Sequence, residues 1–382
     1  MKSMLSIFAV LLGLTAFGLA RLGAQAFPEI APKDAASMAL GGSFVSLSSG
    51  YSSFYGNPAG FASDRGEFTI SDLKTWAYLK PTSSNLAAAS SLLGGGGDLG
   101  QTISTLNGLL TQNGLGGGAS FGLGYSGKGL GIGIYTVSDE VASGATAFGA
   151  TVQSSTIVNG VIGLGAPLRI GGLRFDIGGD ARPYYRIDSV PGGWSLLDLV
   201  GNSNLMSQSV YAGFNLAMDF GVSLKLNTLR FGLAVRDISP TFLMGSYSLG
   251  GLLQDLGTGG IPTPGPGAIS AYTYPFISLG MAWKPKLLPR LVDPAVYFEV
   301  QDPVAIAENK DSVWNLFHLG AEFKLFDFLS LRGGINRGWL SAGFGLDVFV
   351  LTVDASVFTE ELGRHPGDDP RSGLALQVAI RL

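Results

Sequence analysis

The sequence predicts an all-β protein, a fourteen-stranded antiparallel transmembrane β-barrel. Three observations carry that prediction: an alternation of apolar with small or polar residues repeated down the chain, an unusually apolar and glycine-rich composition, and connections that switch between long and short. Of the 382 residues 58 are glycine, only 14% are charged, and mean hydropathy is positive. After residue 26 no run approaches the roughly 20 consecutive apolar residues that a helical span requires. A membrane barrel holds the same hydropathy on alternate strand positions.

The chain opens with Lys2, an apolar run from Leu5 to Ala20, and Arg21-Leu22-Gly23-Ala24-Gln25-Ala26. A positive start, an apolar middle and an Ala-x-Ala end have the form of a secretory signal peptide. Residues 1–26 are read as that leader, cut after Ala26, with no cysteine following that could carry a lipid anchor.

Alternation then identifies the strands. In residues 210–225, Val210, Ala212, Phe214, Leu216, Met218, Phe220, Val222 and Leu224 interleave with Tyr211, Gly213, Asn215, Ala217, Asp219, Gly221, Ser223 and Lys225. A period of two separates these sets on a strand, whereas a helix would smear them around its circumference. Leu229, Phe231, Leu233 and Val235 likewise oppose Arg230, Gly232, Ala234 and Arg236, and the terminal stretch sets Leu374, Leu376, Val378 and Ile380 against Ala375, Gln377, Ala379 and Arg381. An Arg or Lys facing lipid at the bilayer midplane costs about 2–4 kcal/mol. The charged set therefore faces a lumen and the apolar set the acyl chains. A soluble β-sandwich would invert this, but two sheets would have to cover very many apolar positions.

Fourteen strands follow, at approximately 67–78, 118–127, 129–138, 146–165, 169–186, 207–226, 228–238, 271–284, 292–301, 313–326, 328–336, 338–347, 349–358 and 371–382. The even count brings both ends of the barrel to one rim. Long connections at 79–117, 187–206, 239–270, 302–312 and 359–370 belong outside; short turns near Lys128, 226–228, 326–328 and 347–349 belong to the periplasmic rim.

Several function classes fall away. A net charge of −4 argues against nucleic acid as a partner. The absence of cysteine excludes disulfides and thiol chemistry. His318 and His365 are the only histidines, and neither sits in a nucleophile-bearing or metal-ligating motif, so no enzyme, metal or cofactor is expected. Gly122-Leu123-Gly124-Tyr125-Ser126-Gly127 spells a dinucleotide fingerprint but lies inside a strand followed by another strand, where the phosphate-binding helix is missing.

Met38-Ala39-Leu40-Gly41-Gly42-Ser43-Phe44-Val45, Gly50-Tyr51-Ser52 and Asn57-Pro58-Ala59-Gly60-Phe61 resemble the N-terminal segment of the outer-membrane long-chain fatty acid transporter (FadL/TodX-like) family, most of all its divergent spirochaete members. The C-terminal loop Glu361-Leu362-Gly363-Arg364-His365-Pro366-Gly367 resembles the same group. The resemblance implies an N-terminal plug in the lumen, here residues 27–66, ahead of a barrel at 67–382. It implies an outer-membrane channel for passive uptake of long-chain fatty acids or other hydrophobic small molecules. Its partners would be the lipid bilayer, the hydrophobic ligand and the outer-membrane assembly machinery. The alternative is a barrel acting as an interaction protein, in secretion, in assembly or at the surface.

The local chemistry suits such a segment. Glycine permits tight turns, and Asn57 ahead of Pro58 favours a turn or extended backbone. Phe44, Tyr51, Phe54, Tyr55, Asn57 and Pro58 are the expected ligand floor, with a purely structural filling as the other reading. Arg230 and Arg236 are candidates to bind a carboxylate bidentately. The other reading makes the mixed lumen charges compensating pairs that brace the wall. The outer loops 86–115 and 242–256 are oddly apolar; Phe242, Leu249, Leu252 and Leu253 are expected in a capture groove, against the alternative that these loops pack on one another.

Overall fold

A computed structural model describes residues 24–94, 98–110, 115–200, 204–265, 267–285 and 291–382; the charged start and apolar run of the leader lie outside them. Fourteen antiparallel strands form the wall. They are β1 Glu67–Tyr78, β2 Leu115–Gly127, β3 Leu130–Ser143, β4 Thr151–Ile170, β5 Leu173–Ser189, β6 Ser209–Leu226 and β7 Leu229–Ile238, then β8 Phe276–Trp283, β9 Val292–Gln301, β10 Phe317–Leu325, β11 Leu329–Asn336, β12 Trp339–Val348, β13 Leu351–Glu361 and β14 Pro370–Arg381. Each pairs with the next, and β14 pairs with β1 from Gly373↔Tyr78 to Arg381↔Thr69, which closes the barrel. Among the described residues no helix is long and apolar enough to cross a membrane.

The two faces separate as the alternation requires. Phe214 and Phe220 are 54% and 52% exposed while Asp219 between them is 1% exposed, so the wall is apolar outside and polar within. Many of the inner charges come in pairs. Arg182 Nε lies 3.0 Å from Asp219 Oδ2, its Nη1 donates to Asn159 Oδ1 at 2.8 Å, and its Nη2 meets Asp237. Elsewhere Arg381 reaches Asp72 at 2.8 Å, Lys324 reaches Asp347 at 2.8 Å, and Arg332 bridges Glu322 and Asp354. Paired charges avoid the several kcal/mol that an isolated buried ion costs.

The connections at one rim are turns of a few residues, tightened by left-handed backbone at Lys128, Asn227 and Asp327. Those at the other rim are mostly long and carry helices Ser83–Leu93, Leu99–Leu110 and Leu249–Gly257. The turn expected at 166–168 falls instead at Gly171–Gly172, because both glycines take positive φ and Pro167 remains in the β4 ladder opposite Asp176. Within the connection expected to be loop at 239–270, Phe242–Ser248 forms a strand that pairs with β6 (Ser248↔Ser209) and with Ile269–Thr273 (Phe242↔Ala271).

Ahead of β1 the chain runs from one rim to the other. Gln25–Phe27 pairs in parallel with Ile269–Thr273, which directly precedes β8 at the long-loop rim. At the opposite rim Lys128 N–H and Gly129 N–H donate to Ser63 O and Phe61 O, at 2.7 and 2.8 Å. Between these ends the segment touches the inward faces of the wall. A Cβ at Gly178 would lie 2.0 Å from Pro58 O, and one at Gly221 would lie 1.9 Å from Asn57 Oδ1. Only glycine lets the segment approach the wall that closely.

Candidate functional site

Where the N-terminal segment meets the long-loop rim, a cavity of about 620 Å³ remains. Residues 28–34 form one side of it, Phe44 and Tyr55 lie on its lining, and the upper ends of β3, β4, β7 to β11, β13 and β14 complete it. The lining is mixed. Ile30, Met38, Phe44, Val141 and Phe276 are apolar; Glu29, Lys33, Asp139, Arg236, Arg337, Glu360 and Arg371 are charged.

Sequence patterning positions these groups. Odd-even parity turns Asp139, Arg236 and His318 inward, whereas Glu29, Lys33 and Asp34 come from irregular chain that no parity governs. Burial pushes the Glu29 carboxyl up to about 7, against the pull of the Arg236 guanidinium 2.7 Å away. Burial works the same way on Asp34. Lys74, the Ser37 N–H and the Tyr55 hydroxyl nevertheless hold that carboxyl below its usual range. Asp34 Oδ1 caps the short helix Ala35–Ala39 by accepting from Ser37 N–H at 3.0 Å.

The segment is tied to the wall by polar contacts that alternation alone does not reveal. Glu299 Oε2 accepts the N–H groups of both Phe44 and Val45 at 2.9 Å. Gln301 Nε2 donates to Gly42 O at 2.8 Å, and His318 Nδ1 lies 2.6 Å from Gly41 O. Because a carbonyl only accepts, that ring nitrogen carries the proton.

The six residues expected in a ligand floor divide among three places. Phe44 stacks on Phe276 with centroids 6.2 Å apart, and Tyr55 donates to Asp34 Oδ2 at 2.9 Å; both border the cavity. Tyr51 and Phe54 lie deeper, edge to face at 5.2 Å, against the glycine rows of β2 and β3. Asn57 and Pro58 sit against β5 and β6, where Asn57 Nδ2 donates to Val45 O and Val222 O at 3.2 and 3.3 Å.

The two candidate carboxylate binders are both engaged. Arg236 borders the cavity but pairs with Glu29, while Arg230 donates to Ser223 Oγ at 2.9 Å and Ser48 O at 3.0 Å. The four capture-groove residues also part company. Phe242 is buried with its ring edge-on to Tyr184, centroids 6.0 Å apart. Leu252 is buried with Trp194, Val210 and Ala212, and Leu249 packs at the margin of the same cluster. Leu253 is 45% exposed. In the other apolar loop, Leu106 and Leu110 pack on Ala142, Ala147, Ala150 and Leu196.

Arg337 escaped sequence reasoning because it stands in a two-residue turn between β11 and β12, with no strand parity to mark it. The one signal available was a basic residue beside glycine at a turn on the long-loop rim.

No family model matches the chain, and no curated protein matches it either. Solved structures do. The P. putida toluene transporter TodX aligns over 92% of this chain and 99% of its own, at 11% identity and a TM-score of 0.49. The CymD monoaromatic hydrocarbon channel aligns over 91% and 96%, at 9% identity and a TM-score of 0.48. A Pseudomonas aeruginosa FadL homologue aligns over 92% and 98%, at 12% identity and a TM-score of 0.44. These are outer-membrane channels of the kind that the Met38–Phe61 motif resembles.

Proposed function

We propose that this protein is an outer-membrane channel for passive uptake of long-chain fatty acids or other hydrophobic small molecules, with residues 27–66 as the plug of its bore. The observation that supports this best is the half-apolar cavity at the long-loop rim, walled by the N-terminal segment inside a barrel with an apolar exterior. A hydrophobic solute caught near exposed Leu253 would move to the Phe44 and Phe276 rings. Burial of its apolar surface, worth about 25 cal/mol per Å², drives that step. No cofactor is required. The leader and the outer-membrane assembly machinery would deliver and insert the chain.

Uptake of radiolabelled oleate by proteoliposomes carrying the purified protein tests this reading. Saturable uptake above protein-free vesicles, with fatty acid recovered from the preparation, is the expected result. Uptake no faster than through bare lipid overturns it.

A further inference from the structure

We propose that the β10–β11 and β12–β13 turns are a one-sided lipid anchor, with the Phe326, Phe328 and Phe349 rings seated between head groups and acyl chains of the leaflet at the short-turn rim. The inference concerns the bilayer rather than the solute, and it stands or falls separately from the uptake reading.

Rings that flank the apolar band of a barrel ordinarily stand on its strands. These three lie on the turns themselves, beyond the last ladder pairs Leu325↔Leu329 and Val348↔Leu351. Phe326 has φ 52° and Phe349 φ 55°, left-handed backbone that hairpin turns usually give to glycine, asparagine or aspartate. Elsewhere on this rim such positions belong to Lys128, Gly129, Gly171, Gly172 and Asn227. A bulky residue there is strained unless its surroundings hold it. Its own chain does not supply that hold. Phe349 is fully exposed, and Phe326 and Phe328, stacked with centroids 6.3 Å apart, are exposed as well. The contacts that favour these rings therefore lie outside the chain.

The two turns form one surface. Asp347 N–H donates to Phe328 O at 2.8 Å, and Arg381 N–H donates to Val350 O at 2.8 Å. What this surface adjoins identifies what covers it. It continues into Leu331, Phe344 and Leu351, exposed residues on the outward face of β11 to β13, where the wall meets acyl chains. Charge sets the depth. Asp347 is held by Lys324 at 2.8 Å and Thr352 at 3.0 Å. Asp327, exposed between two of the rings, stops the turn at head-group level, because a carboxylate is costly in the acyl region.

The chain has no cysteine, so single cysteines can be introduced and spin-labelled in the purified protein in dioleoylphosphatidylcholine nanodiscs. Val350→Cys keeps all three rings, and Lys128→Cys reports on a turn that has none. The label at 350 should collide more often with oxygen than with a water-soluble nickel chelate, and the label at 128 should do the reverse. Adding Phe326→Ser, Phe328→Ser and Phe349→Ser to Val350→Cys should move its label toward the nickel chelate, with the heat-modifiable gel shift of the folded barrel retained. Should that variant not fold, Phe349→Ser alone reads the same shift, since its ring is fully exposed. A label at 350 as open to nickel as the one at 128 overturns the anchor and leaves the rings to a protein partner. A depth unchanged by loss of the rings overturns it too.

Discussion

The Glu29 carboxylate and the Arg236 guanidinium meet at 2.7 Å, joining the irregular start of the N-terminal segment to the inner face of β7. Burial holds the Glu29 carboxyl near 7, well above its ordinary 4.5. The packed segment therefore binds a proton more tightly than the released one. Its advantage is complete below pH 4.5 and is lost as pH rises through 7, at about 1.4 kcal/mol per pKa unit. Protection factors of the amides in residues 28–34, with the intrinsic pH dependence of exchange divided out, should accordingly be higher at pH 5 than at pH 8. Glu29→Gln should flatten that difference; a profile identical in the variant counts against this account.

Asn57 organises the lower part of the segment. Its amide donates to two carbonyls and its Oδ1 accepts from Ala59 N–H at 3.0 Å, all in a fully buried setting. Asn57→Ala strands those groups at a cost of about 1–3 kcal/mol each. We expect faster proteolysis within residues 40–62 and raised single-channel conductance in planar bilayers, with the barrel still heat-modifiable. Unchanged conductance and proteolysis would count against the role.

Gly178 supplies a complementary perturbation from the wall. A side chain there would begin 2.0 Å from Pro58 O, so Gly178→Val must displace the segment or the strand. Conductance should rise as in Asn57→Ala, and the double variant should add little, because both changes release the same contact.

Leu252 and Leu253 are neighbours with opposite surroundings. Leu252 is 1% exposed and Leu253 is 45% exposed. Leu253→Ser should slow capture of oleate without altering thermal unfolding. Leu252→Ser should instead loosen helix Leu249–Gly257 by about 2–5 kcal/mol, the usual cost of emptying a buried leucine site. Measuring both uptake and melting for each variant separates capture from packing.

Arg182 holds a buried charge network together, with partners on β4, β6 and the end of β7. Arg182→Met leaves Asp219 and Asp237 without their main cation and should cost about 3–5 kcal/mol. The temperature at which the folded band converts to the unfolded one on gels should fall. An unchanged temperature would show the network to be dispensable.

The wall was legible in the sequence because a barrel repeats one rule, and the rule is visible wherever Phe, Leu or Val alternates with Gly, Asp or Arg. The β6 alternation and the inward turn of Asp219, Arg236 and Arg381 follow from it. Reading failed where the rule lapses. The gap left between strands at 166–168 is itself strand, with the Pro167 ring carried within the ladder at the short-turn rim. Phe242 and Leu252 looked like one greasy loop, but a strand turns the first toward Tyr184 and a helix lays the second on the outside of β6. The contacts of Glu299 with Phe44 and Val45 join residues more than 250 positions apart, a distance that no local pattern encodes.

Because Glu29 meets Arg236 near one rim while Ser63 meets Lys128 at the other, the residues ahead of the first wall strand span the distance between the two rims. A thread pinned at so many points along its course is not easily fed through a finished tube. The β14–β1 seam, from Gly373↔Tyr78 to Arg381↔Thr69, is where the two ends of the wall meet and so where a cylinder can close around such a thread.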